Sequence, residues 1–226
     1  MNLFARIEAL IFDLDNTLYD ENSYIRAVCE GFCLRHRLDY RLIDSITSDS
    51  FRASSRDIFG DWLKGIDYYT PARQEELFFL YENLPPDSIP AHALESIRLY
   101  DDALKLLCSL QGSPLKLGIL TNGGLKAQAR KVELLRLSDF GFHIEYARAR
   151  GAEYEKPHKD AFDRILARLG VSAQKAVFIG DNPKSDIVGA HNAGLEAIWL
   201  KRGYAQALPC TAPHIALHNL NDLRSL

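Results

Sequence analysis

A short apolar run that ends in two carboxylates constrains this chain more than any other feature. The run Ala-Leu-Ile-Phe occupies residues 9–12 and is typical of a buried strand in a sheet covered on both faces. Asp13 and Asp15 follow it directly, separated by one leucine. Both carboxylates are predicted to point the same way at the strand's carboxyl end, where open α/β sheets bind ligands. Two like charges this close need a cation, a shared proton or solvent, and a metal ion is the natural occupant.

Residues 18–95 are predicted to form an all-helical block. Its first helix is indicated by apolar residues at i, i+3, i+4 and i+7, namely Ile25, Val28, Cys29 and Phe32. Further helices are expected over residues 40–46, 48–62 and 71–83, and three prolines between residues 84 and 90 end the helical pattern. The block is therefore interpreted as an insertion between the first strand and the rest of the sheet.

The remainder of the chain alternates between strand and helix. Strands are predicted over residues 115–120, 144–147, 176–179, 196–200 and 214–217. Helices are predicted over residues 101–110, 125–137, 158–169 and 185–193. This alternation implies right-handed crossovers and a mainly parallel sheet. The predicted fold is α/β: a doubly wound, Rossmann-like core of residues 1–17 and 96–226, with a helical cap of residues 18–95 inserted into it.

Composition is that of an ordinary globular protein, with 47% hydrophobic and 25% charged residues. The formal net charge of −3 provides no basic field, so neither a nucleic acid nor a membrane surface is expected as a partner. No apolar run approaches the roughly 20 residues that cross a bilayer, and the N-terminus lacks a signal peptide's apolar core. Cys29 and Cys33 have no second Cys or His pair at zinc-finger spacing. Reduced thiols and a cytoplasmic location are therefore expected.

Three further predicted strand ends carry polar residues that suit a phosphate site. Thr121 opens a Thr-Asn-Gly-Gly segment, which could bind an anion through its hydroxyl and backbone N–H groups but is also an ordinary turn. Lys156 could neutralise a phosphate, although surface lysines are common. Asp181 and Asp186 would add a second acidic pair, although Asp186 could serve only as a helix cap. Several carboxylates, waters and phosphate oxygens are the ligands that Mg²⁺ favours.

In chain order, these segments resemble the four motifs of the haloacid dehalogenase superfamily. The matching segments are Asp13-Leu-Asp-Asn-Thr17, Thr121-Asn-Gly123, Lys156-Pro157 and Gly180-Asp-Asn-Pro-Lys-Ser-Asp186. The resemblance covers nearly the whole chain, and the helical insertion after the first motif is similar to that superfamily's first-position cap. The form of the first motif resembles that of nucleotidases and sugar-phosphate phosphatases.

The resemblance implies a phosphatase that forms an aspartyl-phosphate on Asp13, the nucleophile. Asp15 would protonate the leaving alcohol and then activate water, so its proton affinity should be raised while Asp13 stays ionised on the metal. The expected substrate is a small phosphorylated metabolite, either a nucleoside monophosphate or a sugar phosphate. The protein is expected to be a monomer or a homodimer.

The same resemblance implies the binding residues. Thr121, Asn122 and Gly123 would hold the phosphoryl oxygens, and Lys156 would offset their charge. The Mg²⁺ ligands would be Asp13, the Asp15 carbonyl and Asp181. Asp186 would support the metal through water or orient the lysine.

The same superfamily contains other reactions, and the motifs separate them. Dehalogenases and phosphonate-cleaving relatives lack the counterpart of Asp15, and Lys64 is the only lysine in the helical block that could form an imine. Phosphomutases keep both aspartates and stay open as an alternative. A phosphate-binding regulatory protein without turnover also stays open, as does an interaction module in which Phe78, Phe79 and Tyr81 form an apolar surface.

Substrate choice is expected to come from the helical block, which could close over the site. An arginine could bind a second anionic group, and an aromatic ring could stack on a base or a sugar. The candidates are Tyr19, Tyr24, Arg26, Arg52, Arg56, Trp62 and Tyr68. Trp62 and Tyr68 are explained more simply as parts of a helical core.

Overall fold

The computed structural model describes residues 3–226 and divides the chain into two compact units. The larger unit contains residues 3–19 and 99–226, and the smaller unit is Asp20–Arg98. Both boundaries lie a few residues later than the sequence analysis placed them. At this boundary Tyr19 and Leu99 form an antiparallel bridge, so hydrogen bonding holds the chain's exit from the larger unit beside its return.

The larger unit is built on a six-stranded parallel sheet. Its strands are β1 Ala9–Phe12, β2 Lys116–Thr121, β3 His143–Tyr146, β4 Ala176–Gly180, β5 Glu196–Leu200 and β6 Ile215–Leu217. Their order is β3-β2-β1-β4-β5-β6, so the winding direction reverses between β1 and β4. All residues of these two central strands are buried, as a sheet covered on both faces requires. The predicted α/β class and doubly wound, parallel sheet are confirmed.

Eleven α-helices are formed by the described residues 3–226. They are α1 Leu3–Arg6, α2 Glu21–His36, α3 Ile43–Ile46, α4 Asp49–Ser54, α5 Ile58–Gly65, α6 Pro71–Asn83, α7 Ala91–Ser96, α8 Asp101–Leu110, α9 Leu125–Leu134, α10 Lys159–Leu169 and α11 Val188–Asn192. Helix α10 packs on the sheet through Phe162, whose ring meets that of Phe178 on β4 edge-to-face, with centroids 5.1 Å apart.

Three predicted helix boundaries are wrong, each for a local reason. The helix expected over residues 48–62 is two helices, because Asp57 caps the second one by accepting the Gly60 amide hydrogen at 3.2 Å. The helix expected to reach residue 137 ends at Leu134, and Arg136 then adopts a left-handed conformation with φ 52°. The helix expected over residues 185–193 begins as the π-helical turn Pro183–Ile187, which Asn182 caps.

The smaller unit has its own aromatic core, in which several candidate specificity residues take part. Trp62 is 1% exposed, and its indole donates a hydrogen bond to the Leu42 carbonyl at 3.0 Å. The Tyr24 hydroxyl donates to the Tyr81 carbonyl at 2.6 Å. Tyr68 carries the Arg73 guanidinium over its ring at 3.5 Å. These contacts support the interpretation of Trp62 and Tyr68 as parts of a helical core, and Tyr24 also packs within this unit.

The arginine candidates of this unit differ in their surroundings. Arg52 is nearly buried and forms an ion pair with Glu21, and Arg26 pairs with Asp44 at 2.9 Å. Arg56 is exposed. Phe78 and Phe79, candidates for an apolar surface, are 43% and 56% exposed.

The four cysteines are free thiols. Cys29 and Cys33 are buried, and burial raises the pKa of both, that of Cys33 to about 11. Among residues 3–226, no helix has the length and apolar character needed to span a lipid bilayer.

Candidate active site

Two neighbouring strand ends bring three buried carboxyl groups together. Phe12 of β1 is paired with Ile179 of β4, and the Asp13 amide donates to the Ile179 carbonyl at 2.8 Å. Asp13 therefore leaves β1 beside the point where Asp181 leaves β4. One carboxylate oxygen from each of Asp13, Asp181 and Asp186 lies within 4.8 Å of the others. Two motifs that are far apart in sequence meet here, as the pattern of strand ends predicted.

The Lys156 ammonium lies between two of these carboxylates. Its Nζ atom is 2.5 Å from Oδ1 of Asp13 and 2.8 Å from Oδ1 of Asp186, and its side chain is only 2% exposed. Burial alone would lower the pKa of Lys156, but the two carboxylates outweigh burial and raise the pKa above its usual value. The two carboxylates therefore favour the charged form of Lys156.

Asp186 faces the site rather than serving only as a helix cap. Its Oδ2 atom accepts the Asn182 amide hydrogen at 3.0 Å, while Oδ1 faces Lys156. The close approach depends on Gly180, because a Cβ at that position would lie 2.4 Å from Asp186 Oδ2. The glycine of this motif thus makes room for the aspartate six positions later.

The second and third motifs are joined by reciprocal hydrogen bonds. The Asn122 side chain accepts from the Lys156 amide at 2.9 Å and donates to the Lys156 carbonyl at 3.0 Å. The Gly123 amide donates to Glu155 at 2.6 Å, and Arg148 pairs with the same carboxylate. The Gly123 amide is thus engaged by Glu155 in the structure, and its role in binding a phosphoryl oxygen stays a prediction. Asn122 uses its side chain to hold the lysine's backbone.

Asp15 lies in a second cluster that the sequence analysis did not anticipate. Its Oδ1 atom accepts from the Tyr19 hydroxyl at 2.5 Å and from the Lys131 ammonium at 2.8 Å. Its Oδ2 atom accepts from the Gln128 amide at 2.8 Å, which also donates to the Thr121 hydroxyl oxygen at 2.5 Å. Tyr19, a candidate specificity residue, is therefore a partner of Asp15 within the larger unit.

Lys131 and Gln128 are site residues that sequence reasoning missed. They are 0% and 1% exposed, and together with Ala127 and Val132 they form the buried face of α9. The spacing of these two polar side chains, i and i+3 beside apolar residues of one helix face, could have indicated that both are buried. A buried polar group needs a partner, which would have directed attention to the neighbouring strand ends.

The pKa values of Asp13 and Asp15 shift in opposite directions, that of Asp13 upward and that of Asp15 downward. Burial, reinforced by the charges of Asp186 and Asp15 and opposed by Lys156, raises the pKa of Asp13 to about 7. For Asp15, burial acts in the raising direction, but the Lys131 charge and the hydrogen bonds of Lys131, Tyr19 and Gln128 lower the pKa below its usual value. The predicted raised proton affinity of Asp15 is wrong because α9 supplies a buried cation.

The carboxyl cluster fits a divalent metal ion. Asp13, Asp181 and Asp186 offer hard oxygen ligands, and the lysine between two of them balances one negative charge of the three. Two negative charges remain when all three carboxyls are ionised. Mg²⁺ matches both the charge and the ligand type, and a cation there would favour ionised Asp13.

Comparison with known proteins places the chain among hydrolases. Residues 7–194 match the haloacid dehalogenase-like hydrolase family. The sequence is 29% identical over 207 residues to a glyceraldehyde 3-phosphate phosphatase of Pyrococcus abyssi, covering 87% of this chain and 82% of that protein. It is 26% identical over 242 residues to phosphoglycolate phosphatase of Escherichia coli, covering 99% of this chain and 93% of that protein. Its fold is similar to that of the putative HAD-hydrolase YfnB from Bacillus subtilis, a structure bound to magnesium, with TM-score 0.73, 23% identity and coverage of 96% and 97%.

Proposed function

Because the chain belongs to the haloacid dehalogenase-like hydrolase family, we propose that it is a Mg²⁺-dependent phosphatase that acts through an aspartyl-phosphate on Asp13. The predicted family and the prediction of a phosphoric monoester hydrolase are confirmed. The observation that carries the mechanistic proposal is the Lys156 ammonium, held within 2.8 Å of both Asp13, which follows β1, and Asp186, in the turn after β4. A cation beside a nucleophilic carboxylate is what phosphoryl transfer to that carboxylate needs.

Each proposed role uses a group in a defined position. Asp13 attacks phosphorus, the bond from phosphorus to the leaving oxygen breaks, and the phosphoryl group remains on the Asp13 carboxylate. Lys156 offsets the charge of the phosphoryl oxygens, and the Thr121 hydroxyl and Asn122 backbone amide bind them. Because Lys131, Tyr19 and Gln128 lower the pKa of Asp15, this carboxylate first takes up a proton from the bound phosphomonoester monoanion and gives it to the leaving oxygen. It then accepts a proton from the water that hydrolyses the intermediate.

The proposed metal ligands are Asp13, Asp181 and the Asp15 carbonyl, with Asp186 in support. The Asp15 side chain is engaged by α9 and Tyr19, which leaves the backbone oxygen as the ligand assigned to that residue. Bound Mg²⁺ would supply positive charge to the phosphoryl oxygens.

We further propose that the substrate is a small sugar phosphate or a related phosphorylated acid rather than a nucleoside monophosphate. The names of the curated relatives support this choice, since they are phosphatases of glyceraldehyde 3-phosphate and of phosphoglycolate. The same names favour hydrolysis over the phosphomutase alternative. The matched acidic residues favour turnover over a regulatory protein that only binds phosphate.

The proposed function predicts Mg²⁺-dependent release of phosphate from monoesters. We expect kcat/KM for three-carbon or sugar phosphates to exceed that for nucleoside monophosphates, and diesters to be poor substrates because the site has one phosphoryl cradle. Purified protein should be assayed against this panel with Mg²⁺ and with EDTA. Activity that survives EDTA, or a preference for diesters, would contradict the proposal.

Replacing Asp15 with alanine is expected to reduce turnover to a degree that depends on the substrate's leaving group. An alkyl phosphate needs a proton on its departing oxygen, so its turnover should fall by about 10²–10⁴-fold. p-Nitrophenyl phosphate needs little protonation, so its first step should persist and phosphorylated enzyme should accumulate. Rapid-quench kinetics with both substrates makes the measurement. Equal losses on the two substrates would show that Asp15 is not the acid.

A further inference from the structure

Gln128 contacts two groups of the proposed site at once. Its Nε2 atom lies 2.8 Å from Oδ2 of Asp15 and 2.5 Å from Oγ1 of Thr121, and the residue is 1% exposed. An ionised carboxylate only accepts hydrogen bonds, so the Gln128 group beside Asp15 is the amide NH₂. One hydrogen of this group goes to Asp15 and the other to Thr121, whose oxygen is therefore an acceptor.

The hydrogen bond from Gln128 constrains the further hydrogen bonds that the Thr121 hydroxyl can form. A hydroxyl that accepts a hydrogen bond still has its own hydrogen to donate. In the structure this hydrogen is directed to the Asn122 carbonyl at 3.3 Å, which is longer than a normal O–H···O bond. A charged phosphoryl oxygen is a stronger acceptor than this carbonyl. The hydroxyl is thus prepared to donate to a phosphoryl group.

The orientation of Gln128 depends in turn on the hydrogen bonds that Asp15 accepts before the substrate binds. The Lys131 ammonium, which is fully buried, and the Tyr19 hydroxyl both donate to Oδ1 of Asp15. The carboxylate is therefore held through both oxygens, and Oδ2 is left to face Gln128. The result is a chain of directed hydrogen bonds that runs from α9 to the end of β2.

We propose that Gln128 is a positioning residue that reserves the Thr121 hydroxyl hydrogen for a phosphoryl oxygen of the substrate. The Asp15–Lys131 pair sets the direction of the Gln128 amide. The inference rests on the proposed function in one respect, since it requires a phosphoryl group to bind beside Thr121.

Two substitutions of nearly equal shape test this role. Gln128→Glu replaces the amide NH₂ with an oxygen that draws the Thr121 hydrogen away from substrate, whereas Gln128→Met leaves that hydrogen available. With p-nitrophenyl phosphate, we expect Gln128→Glu to lower kcat/KM by about 10²-fold, as loss of an oxyanion donor does. Gln128→Met should lose no more than about 10-fold, the value of one hydrogen bond. This substrate is chosen because its leaving group makes little demand on Asp15.

A double-mutant cycle separates loss of the Thr121 donor from simple charge repulsion. If Gln128→Glu acts through Thr121, its effect should largely disappear in a Thr121→Val background and return in Thr121→Ser, which keeps the hydroxyl. Repulsion of the phosphoryl group by the new charge would persist in all three backgrounds. Gln111→Glu, at an exposed glutamine, is the matched control for the change in net charge and should behave as wild type.

The same cycle is measured with inorganic phosphate by calorimetry, so that the inference does not depend on turnover. We expect Gln128→Glu to weaken phosphate binding by about 10-fold only where a hydroxyl is present at position 121. Equal effects of Gln128→Glu and Gln128→Met, or an undiminished effect in Thr121→Val, would overturn the inference. Wild-type protein that hydrolyses no monoester would refute the proposed function instead, and the phosphate cycle would still decide the role of Gln128. Circular dichroism of each variant checks that it is folded.

Discussion

The substitution Asp13→Asn is expected to lower kcat for phosphomonoester hydrolysis by about 10⁴-fold or more, the scale of loss when a covalent nucleophile is removed. Asparagine keeps the shape of aspartate but has no carboxylate oxygen to form the phosphoenzyme. The loss should be similar for p-nitrophenyl and alkyl phosphates, unlike the loss in Asp15→Ala. Steady-state assays on both substrates, with Asp222→Asn as an exposed control, make the comparison.

The Asp13→Asn variant should remain folded, which keeps its inactivity interpretable. Burial raises the pKa of Asp13 from 3.8 to about 7, so the folded protein holds this proton more tightly than the unfolded chain does. Stability contributed by such a group falls as pH rises through the interval between those two values. Without Mg²⁺, asparagine should therefore gain stability relative to wild type between pH 4 and pH 7.

Chemical denaturation in EDTA at pH 5 and pH 8 measures this difference, and a variant that is relatively less stable at pH 8 would contradict it. Mass spectrometry of acid-quenched protein adds a direct test of the nucleophile. A phosphoryl adduct should be present in wild type or Asp15→Ala after reaction with p-nitrophenyl phosphate. An adduct in Asp13→Asn would refute the assignment.

The features of the site that the sequence predicted are those set by the ends of strands. Apolar runs before Asp13 and Asp181 indicated buried strands, and parallel strands place their carboxyl ends at one edge of a sheet. The adjacency of β1 and β4, which brings the two residues together, is a property of strand order and has no local signal. The sequence therefore indicated a shared edge but not the contact between neighbours.

The charge state of Asp15 could not be predicted for a similar reason. Its cation, Lys131, is 116 positions away in sequence and lies on the buried face of α9. Likewise, the engagement of the Gly123 amide by Glu155 depends on the packing of two loops. Periodicity predicts which face of an element is buried, whereas the partner of a buried polar group depends on the tertiary fold.

The second large effect is expected from Lys156→Met, which removes the cation between Asp13 and Asp186. Activity should fall by about 10²–10³-fold, since the phosphoryl oxygens lose a preorganised positive charge. Removing one partner of a buried ion pair also destabilises a protein by about 3–5 kcal/mol, because the remaining charge is left uncompensated. Denaturation and kinetic assays on the same preparation measure both effects, with exposed Lys159→Met as the control.

The pH dependence of this variant distinguishes loss of charge from loss of packing. In wild type, the pKa of Lys156 is raised above its ordinary value of 10.5, so the stability that its charge contributes is fully present from pH 5 to pH 8. In Lys156→Met, Asp13 ionises without a cation beside it, so the variant should lose further stability as pH rises over that range.

Lys156→Arg keeps the charge and should recover most of the stability, but less of the activity, because its planar guanidinium differs in shape from the compact ammonium. Addition of Mg²⁺ should stabilise Lys156→Met more at pH 8 than at pH 5, since the added cation meets uncompensated carboxylates. A stability loss that is the same at both pH values would show that Lys156 acts through packing alone.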